Sequence, residues 1–558
     1  MNLSVGRFFG LFLLAILATS CATSGGYWIP PSSPPTAAAL AMIPLSGPQP
    51  ELPPTSAVIM PPATMPPATM PPATLPPTEP PPTPTQLDPP TDTPPLVPTE
   101  SLSLSALLTP TATPEIYVVD TAPILYYSQA ADTLKVVGTR FGVDAAEISS
   151  PDPIPEASYI NPGQLLIIPR RLTNTTSSQK LLPDSEVVFS PSAVNFDVVA
   201  FTQEAGGYLA SYQEWHRSTG MKSGAQIVQR VATENSINPR LLLALLEYHS
   251  HWVYGRPAGQ EQIDYPLGLA QPTAKGLYNQ LVWAVNQLSI GYYAYREGRL
   301  TEIRFSDGVK ARLAPDLNAG TAALQYYFAQ LYTGQRWLDA LNPEIGLPTL
   351  HASMFSNPWE RAQTVEPLFP PGIKQPPLVL PFGRNWTWSY TGGPHGAWEQ
   401  DGAYAALDFA PGAKQSGCVD TPAFAVASAA GLVVRTGPGL VVIDLDGDGF
   451  EQTGWVLVYL HLAEKGRVQQ GDWVAQGDPV GHPSCEGGFA TGTHVHIARK
   501  YNGEWVPADG PLPFNLGGWV AKAGLLPYKG TLTRDSVTLT ACTCSNYLTF
   551  ITRTDDDP

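Results

Sequence analysis

From Pro30 to Pro114 the chain is built largely of Pro, Thr, Ala and Ser, and it carries the tandem run PPATMPPATMPPATLPPT at 61–78. Proline fixes φ and lacks an N–H donor, so such a stretch can sustain neither a helix nor a central strand. It has little apolar surface to bury, and residues 22–114 are predicted to be a disordered, solvated tether of polyproline-II character. Roughly 80 residues at ~3.1 Å each could reach at most ~250 Å. With many of the 61 prolines in that stretch, the core-forming length is well short of 558 residues, and the remainder must divide into several domains.

The first residues, MNLSVGRFFGLFLLAILATSC, place Arg7 before a short apolar run and then small residues up to Cys21. The run is too short for a membrane span and has the form of an export signal over residues 1–21. Its end, ATSC, resembles a bacterial lipobox, which implies lipidation of Cys21 and a membrane anchor on the extracytoplasmic side. The net charge is −16, with no basic cluster to neutralise phosphates, which argues against nucleic acid as a partner. Export permits disulfides among Cys418, Cys485, Cys542 and Cys544. Of the three connectivities, Cys418 with Cys485 is favoured because both fall in one domain, while a CxC bridge is strained.

Order is expected to resume over 115–172. The stretch 126–169 reads as strand, helix, helix, strand, with a helix start at Asp132 and a turn at Asn161-Pro162-Gly163. With DTL at 132–134, FGV at 141–143, INPGQ at 160–164 and the closing LLIIP, it resembles a small α/β LysM domain. That resemblance implies binding of N-acetylglucosamine-containing glycans, hence peptidoglycan.

Residues 195–350 show helical periodicity in GAQIVQRVATEN, PRLLLALLEYHS and LNAGTAALQYYFAQLYTG, with Asn238-Pro239 as a helix start. PRLLLALLEYHSHW and YPLGLAQPTAKGL are similar to segments of lysozyme-like lytic transglycosylases, implying an all-α domain. Where that family has its catalytic Glu, this sequence has His249, followed by Ser250. Glu247 lies two residues earlier, a rotation of about 200° on a helix, and would point away from the cleft. Without a carboxylic acid at the scissile oxygen the domain is expected to bind or scaffold rather than cut glycan.

From about 378 to 530 the pattern is strand-like, broken by Gly-rich turns, and predicts a mainly antiparallel sheet. TGTHVHIARK, at 491–500, sets His494 and His496 two apart, on one face of a strand. Together with GGPHGAW at 392–398, AALDFAPG at 405–412 and VYLHLAEKG at 458–466, this resembles the lysostaphin-type and β-lytic zinc metallopeptidases of bacterial cell walls. Position 404, where the common subgroup has its first His, is Tyr; His395, 13 positions before Asp408, resembles the β-lytic spacing instead. The resemblance implies one zinc held by His395, Asp408 and His496, with His461 and His494 catalytic. The residue types suit that chemistry: imidazoles and a carboxylate bind zinc, and an open position admits water. His482, before Pro483, reads as a turn residue. DLDGDGFEQTG, at 444–454, begins like a calcium loop with Asp444, Asp446 and Asp448, but Trp455 stands where a Glu is needed, so an acidic turn is the first reading.

The sequence thus predicts an exported, lipid-anchored, multidomain zinc endopeptidase facing the cell wall and acting on peptidoglycan peptides. The alternative is a non-catalytic wall-binding scaffold or amidase activator. Residues 531–558 are read as a tail.

Overall fold

The structure, a computed structural model, describes residues 122–398, 401–412, 416–544 and 546–557. The export signal with Cys21 and the Pro/Thr-rich tether lie outside the described residues. The region Val119–Pro558 forms one compact unit. Among the described residues no helix is long and apolar enough to cross a membrane.

The unit begins with β1 (Ile124–Tyr127), α1 (Leu134–Phe141) and β2 (Leu165–Ile168), the strands pairing antiparallel. The helix starts two residues later than expected: Thr133 is the N-cap and accepts the Val136 N–H. Asp132 is instead buried against Arg140 and the Tyr126 hydroxyl. The second expected helix is only the single 3₁₀ turn Ala145–Glu147, closed by an Asp144/Glu147 capping box. This module is joined to the helical region: Gln129 donates its amide to the Leu317 carbonyl at 3.0 Å, and the Arg312 guanidinium donates to the Arg140 carbonyl at 2.9 Å.

The helical region is built around α2 (Gly224–Asn235), α3 (Pro239–Ser250), α4 (Leu277–Arg296) and α5 (Ala319–Ala329). A Ser223/Gln226 capping box starts α2, and Asn238 with Pro239 in the first turn starts α3. Helices α4 and α5 touch at Gly291, where a Cβ would fall 2.8 Å from the Ala323 Cα. Glu247 is buried on α3 and accepts the Val253 and Tyr254 N–H groups at 2.9 and 3.0 Å, so its carboxylate holds the turn that follows the helix. His249 is enclosed by Tyr327 and Tyr332, whose hydroxyls meet its two ring nitrogens at 3.0 and 2.9 Å. No carboxylate of α3 is therefore presented for acid chemistry.

The C-terminal part is a nine-stranded antiparallel sheet. Its strands are β3 (Thr387–His395), β4 (Ala406–Pro411), β5 (Gly431–Gly437), β6 (Leu440–Asp444), β7 (Trp455–Leu460), β8 (Trp473–Val474), β9 (Val495–Tyr501), β10 (Glu504–Trp505) and β11 (Phe550–Thr552). They run in the order β8-β5-β6-β7-β9-β4-β3-β11, with β10 paired to β9. The segment expected as a tail is folded: Gly530–Arg534 and Val537–Thr540 pair in a smaller four-stranded sheet, and β11 covers the outer edge of β3. An uncovered β3 would present an open edge.

Side-chain alternation divides the large sheet into two buried faces. Val441, Ile443, Leu457, Tyr459, Val495 and Ile497 enter a core belonging to the β-domain alone. Val442, Val458, Leu460 and Ala498 enter the core shared with the helical region. Covering both faces explains why these strands read as near-continuous apolar runs. The β9–β10 hairpin anchors the cover: Arg296 of α4 makes two hydrogen bonds to the Glu504 carboxylate, at 2.9 and 2.7 Å, in a buried pair. The Trp505 N–H donates to the Tyr293 hydroxyl at 3.0 Å. Gly503, at φ +77°, completes the turn where a Cβ would strike the Phe189 carbonyl oxygen.

Candidate metal centre

His496 on β9 sits opposite Asp408 on β4, and Asp408 in turn sits opposite Gly392 on β3. Irregularities between Tyr390 and Gly392, and again between Gly392 and His395, shift β3 so that His395, its last residue, reaches the same place. The three residues are at most 6% exposed. His395 Nε2 lies 3.1 Å from His496 Nδ1, and both lie 3.3 Å from Asp408 Oδ1. Ligand atoms held ~2.0–2.1 Å from a tetrahedral zinc stand about 3.3 Å apart, so this triangle has the dimensions of one face of such a shell.

Hydrogen bonding fixes the tautomers that a metal needs. His395 donates Nδ1–H to the Gly393 carbonyl at 2.8 Å, and His496 donates Nε2–H to the Ala397 carbonyl at 3.0 Å. Each ring then turns a lone pair toward the shared point. Asp408 Oδ1, also aimed there, is buried without a hydrogen-bond partner. Buried polar atoms are rarely left so, and the donor set fits a borderline divalent cation such as zinc. Gly392 leaves the carboxylate its room, because a Cβ there would lie 2.3 Å from Asp408 Oδ2.

Burial works to raise the Asp408 pKa, but neighbouring His395, with His496 and His494, holds the carboxyl well below its usual range. Burial lowers the His496 pKa. For His395 burial also favours the neutral ring, yet the Asp408 charge outweighs it and the pKa is raised.

The two other histidines stand beside this triangle. His494 Nε2 is 3.8 Å from Asp408 Oδ1, and its Nδ1–H donates to the Gly492 carbonyl at 2.7 Å. His461 follows β7 at φ +64°, an unusual backbone for a non-glycine residue, and packs its ring 4.5 Å from that of His494. Its Nδ1–H donates to the Glu486 carbonyl at 2.9 Å, and burial pushes its pKa down to about 4. The neighbouring Cys485 is bonded to Cys418, tying the loop that carries this carbonyl to the segment after β4. Cys542 and Cys544 form a second disulfide, remote in sequence from the histidines.

All five residues predicted for the site therefore converge. Tyr404 lies under the Arg299 guanidinium, 4.8 Å from its ring. His482 donates to the Ala423 carbonyl and packs on Phe424, the structural role expected for a turn. Asp444, Asp446 and Asp448 lie close together, but their carboxylates accept the Gly449, Asp448 and Phe450 N–H groups and the Thr453 hydroxyl of their own turn. Trp455 begins β7 where the last calcium ligand would stand, so the loop is an acidic turn and nothing supports calcium. Sequence reasoning missed Gly392, whose signal was the Gly-Gly pair before Pro394. It also missed Tyr528, stacked on His395 at 4.1 Å, and the orienting carbonyls, for which a sequence carries no signal.

The sheet and this centre form a β-domain with a candidate site for one divalent metal ion. Residues 412–508 match Peptidase family M23, and residues 180–368 match the LasA N-terminal domain. The M23 match includes His461, His494 and His496, while His395 and Asp408 precede it. The helical region thus lies within the match to the LasA N-terminal domain. Protease LasA of Pseudomonas aeruginosa strain UCBPP-PA14 is 25% identical over 345 residues, which cover 58% of this chain and 76% of the relative. Among solved structures, the M23 metalloprotease pseudoalterin is 22% identical, with a TM-score of 0.26, covering 30% of this chain and 96% of its own. The catalytic domain of the antimicrobial peptidase lysostaphin from Staphylococcus simulans is also 22% identical, with a TM-score of 0.17, covering 22% of this chain and 90% of its own.

Proposed function

We propose that the protein is a zinc endopeptidase that hydrolyses peptide bonds in the stem or cross-bridge of peptidoglycan. The observation that carries this reading is the triangle of His395 Nε2, His496 Nδ1 and Asp408 Oδ1, with edges of 3.1–3.3 Å and an unpartnered carboxylate oxygen at one corner. Zinc bound there supplies a Lewis acid for the scissile carbonyl and a water acidic enough to ionise near neutral pH.

The chain's own residues supply the rest. His395, Asp408 and His496 hold the ion, and their second hydrogen bonds keep the two imidazoles in the ligating tautomer. His494 and His461 have their Nδ1–H groups committed to carbonyls, which leaves each an Nε2 able to accept a proton. They take the proton of the attacking water, hydrogen-bond the oxygen on which charge develops, and return a proton to the leaving amine. The LysM-like module of residues 115–172 holds the enzyme on the glycan, and the signal and Cys21 place it on the outer side of a membrane. Such tethering raises the local concentration of wall substrate.

The test is digestion of purified peptidoglycan by the full chain. New amino termini without new reducing ends, abolished by a chelator and by His494→Ala, are expected. Binding to the wall without release of either group would replace the enzyme with the non-catalytic scaffold.

A further inference from the structure

A cavity of about 440 Å³ opens on the helical region, away from the residues assigned to the metal centre, and His216, Arg217, Ser218, Arg230 and Tyr278 line it. We propose that it binds a single anionic group, carboxylate or phosphate, borne on a saccharide-sized body.

The hairpin of strands Gln213–His216 and Gly220–Ser223 carries the first three of these residues, α2 carries Arg230, and α4 carries Tyr278. Arg217 is exposed and has no hydrogen-bond or ion-pair partner among the described residues. Arg230 spends Nε on Glu234, at 2.9 Å, and Nη1 on the Thr219 hydroxyl, at 3.2 Å, leaving Nη2. His216 Nε2 is buried without a hydrogen-bond partner; its nearest carboxylate, on Glu214, is 3.6 Å away. That carboxylate is already engaged by the Leu277 N–H and the Tyr212 hydroxyl, both at 2.8 Å. Lys222 also acts on the imidazole; Glu234 is paired with Arg230, and Glu214 is held through Oε2, so Arg217 and the Arg230 Nη2 keep donors that no carboxylate takes. Unused guanidinium donors beside a buried, unsatisfied imidazole nitrogen are the complement of an anion.

The size and the surroundings narrow the class. The volume lies in the range that encloses a small organic ligand, more than one inorganic anion fills. Tyr278 forms an aromatic wall, with the His216 ring 4.9 Å away edge-on and the Arg230 guanidinium 5.2 Å from its own ring. The chain as a whole carries −16, so a long polyanion is repelled by the rest of the surface, whereas one anionic group on a neutral body is not.

The experiment is calorimetric titration of the full chain with glucuronate, glucose 6-phosphate, inorganic phosphate and glucose. Saturable binding of at least one anionic sugar is expected, with glucose and inorganic phosphate each weaker by about tenfold or more. Preference between the two anionic sugars tells carboxylate from phosphate. Arg217→Ala with Arg230→Ala should weaken binding by at least about tenfold, Arg217→Lys by less, and release of wall peptides should not change. Arg217→Ala alone removes an exposed side chain and keeps the test valid if the double variant fails to fold. Absence of saturable binding by both anionic sugars, equal binding of glucose, or affinity indifferent to Arg217 would each overturn the proposal.

Discussion

Gly392 faces Asp408 across two strands, and the 2.3 Å approach of a built Cβ to Oδ2 makes it a residue on which the metal centre turns. Gly392→Ala is expected to swing the carboxylate off the shared point and lower zinc affinity and peptide release by about 10–100-fold, as loss of support behind a ligand does. Far-UV circular dichroism should stay unchanged while metal content falls; full metal occupancy in the variant would contradict this. The five residues gathered at this centre could be read in the sequence because ligand chemistry demands His and Asp, and because a strand puts His494 and His496 on one face. Gly392 could not be assigned, since its task depends on a register set by two irregularities in β3.

At the scale of elements, the β9–β10 hairpin and α3 make opposite statements about buried carboxylates. Glu504 is paired with Arg296 in the buried interface, so Glu504→Gln should leave the guanidinium with Asp184, 3.4 Å away, as its remaining counter-charge and destabilise the protein by about 1–3 kcal/mol in urea unfolding. Glu247 serves the backbone of Val253 and Tyr254, so Glu247→Gln should cost stability but leave release of wall peptides untouched. Loss of wall degradation in that variant would return glycan chemistry to the helical region. The helix start at Asn238-Pro239 was legible because capping is local. The missing second helix of the first module and the folding of residues 531–557 were not, because packing and edge pairing decide them.

For the whole molecule, the sheet face that carries the metal centre is also the face that the helical region covers. A fragment of residues 378–530 would expose Val442, Val458, Leu460 and Ala498 and lose β11, so it should bind a hydrophobic dye and melt below the full chain. Acid should loosen the helical region too. His351, fully buried, and His249 have pKa values pushed by burial from 6.5 to about 3, so the unfolded chain binds two more protons between those limits. Burial and nearby Asp184 raise Glu366 from 4.5 to about 7, which acts in the opposite sense down to pH 4.5. The two histidines thus contribute stability that is lost as pH falls below 6.5, and Glu366 offsets part of that loss down to pH 4.5, so the decline should be steepest below about pH 4.5. Thermal melts at pH 7, 5.5 and 4 would register the decline, and a flat profile would contradict it.

The most direct measurement is the zinc content of the purified full chain by mass spectrometry, beside His395→Ala and Tyr404→Phe. About one zinc per chain in the wild type and in Tyr404→Phe, lost in His395→Ala, is the result this account requires. A folded wild type without zinc, or zinc retained in His395→Ala, would contradict a metal centre at His395, Asp408 and His496.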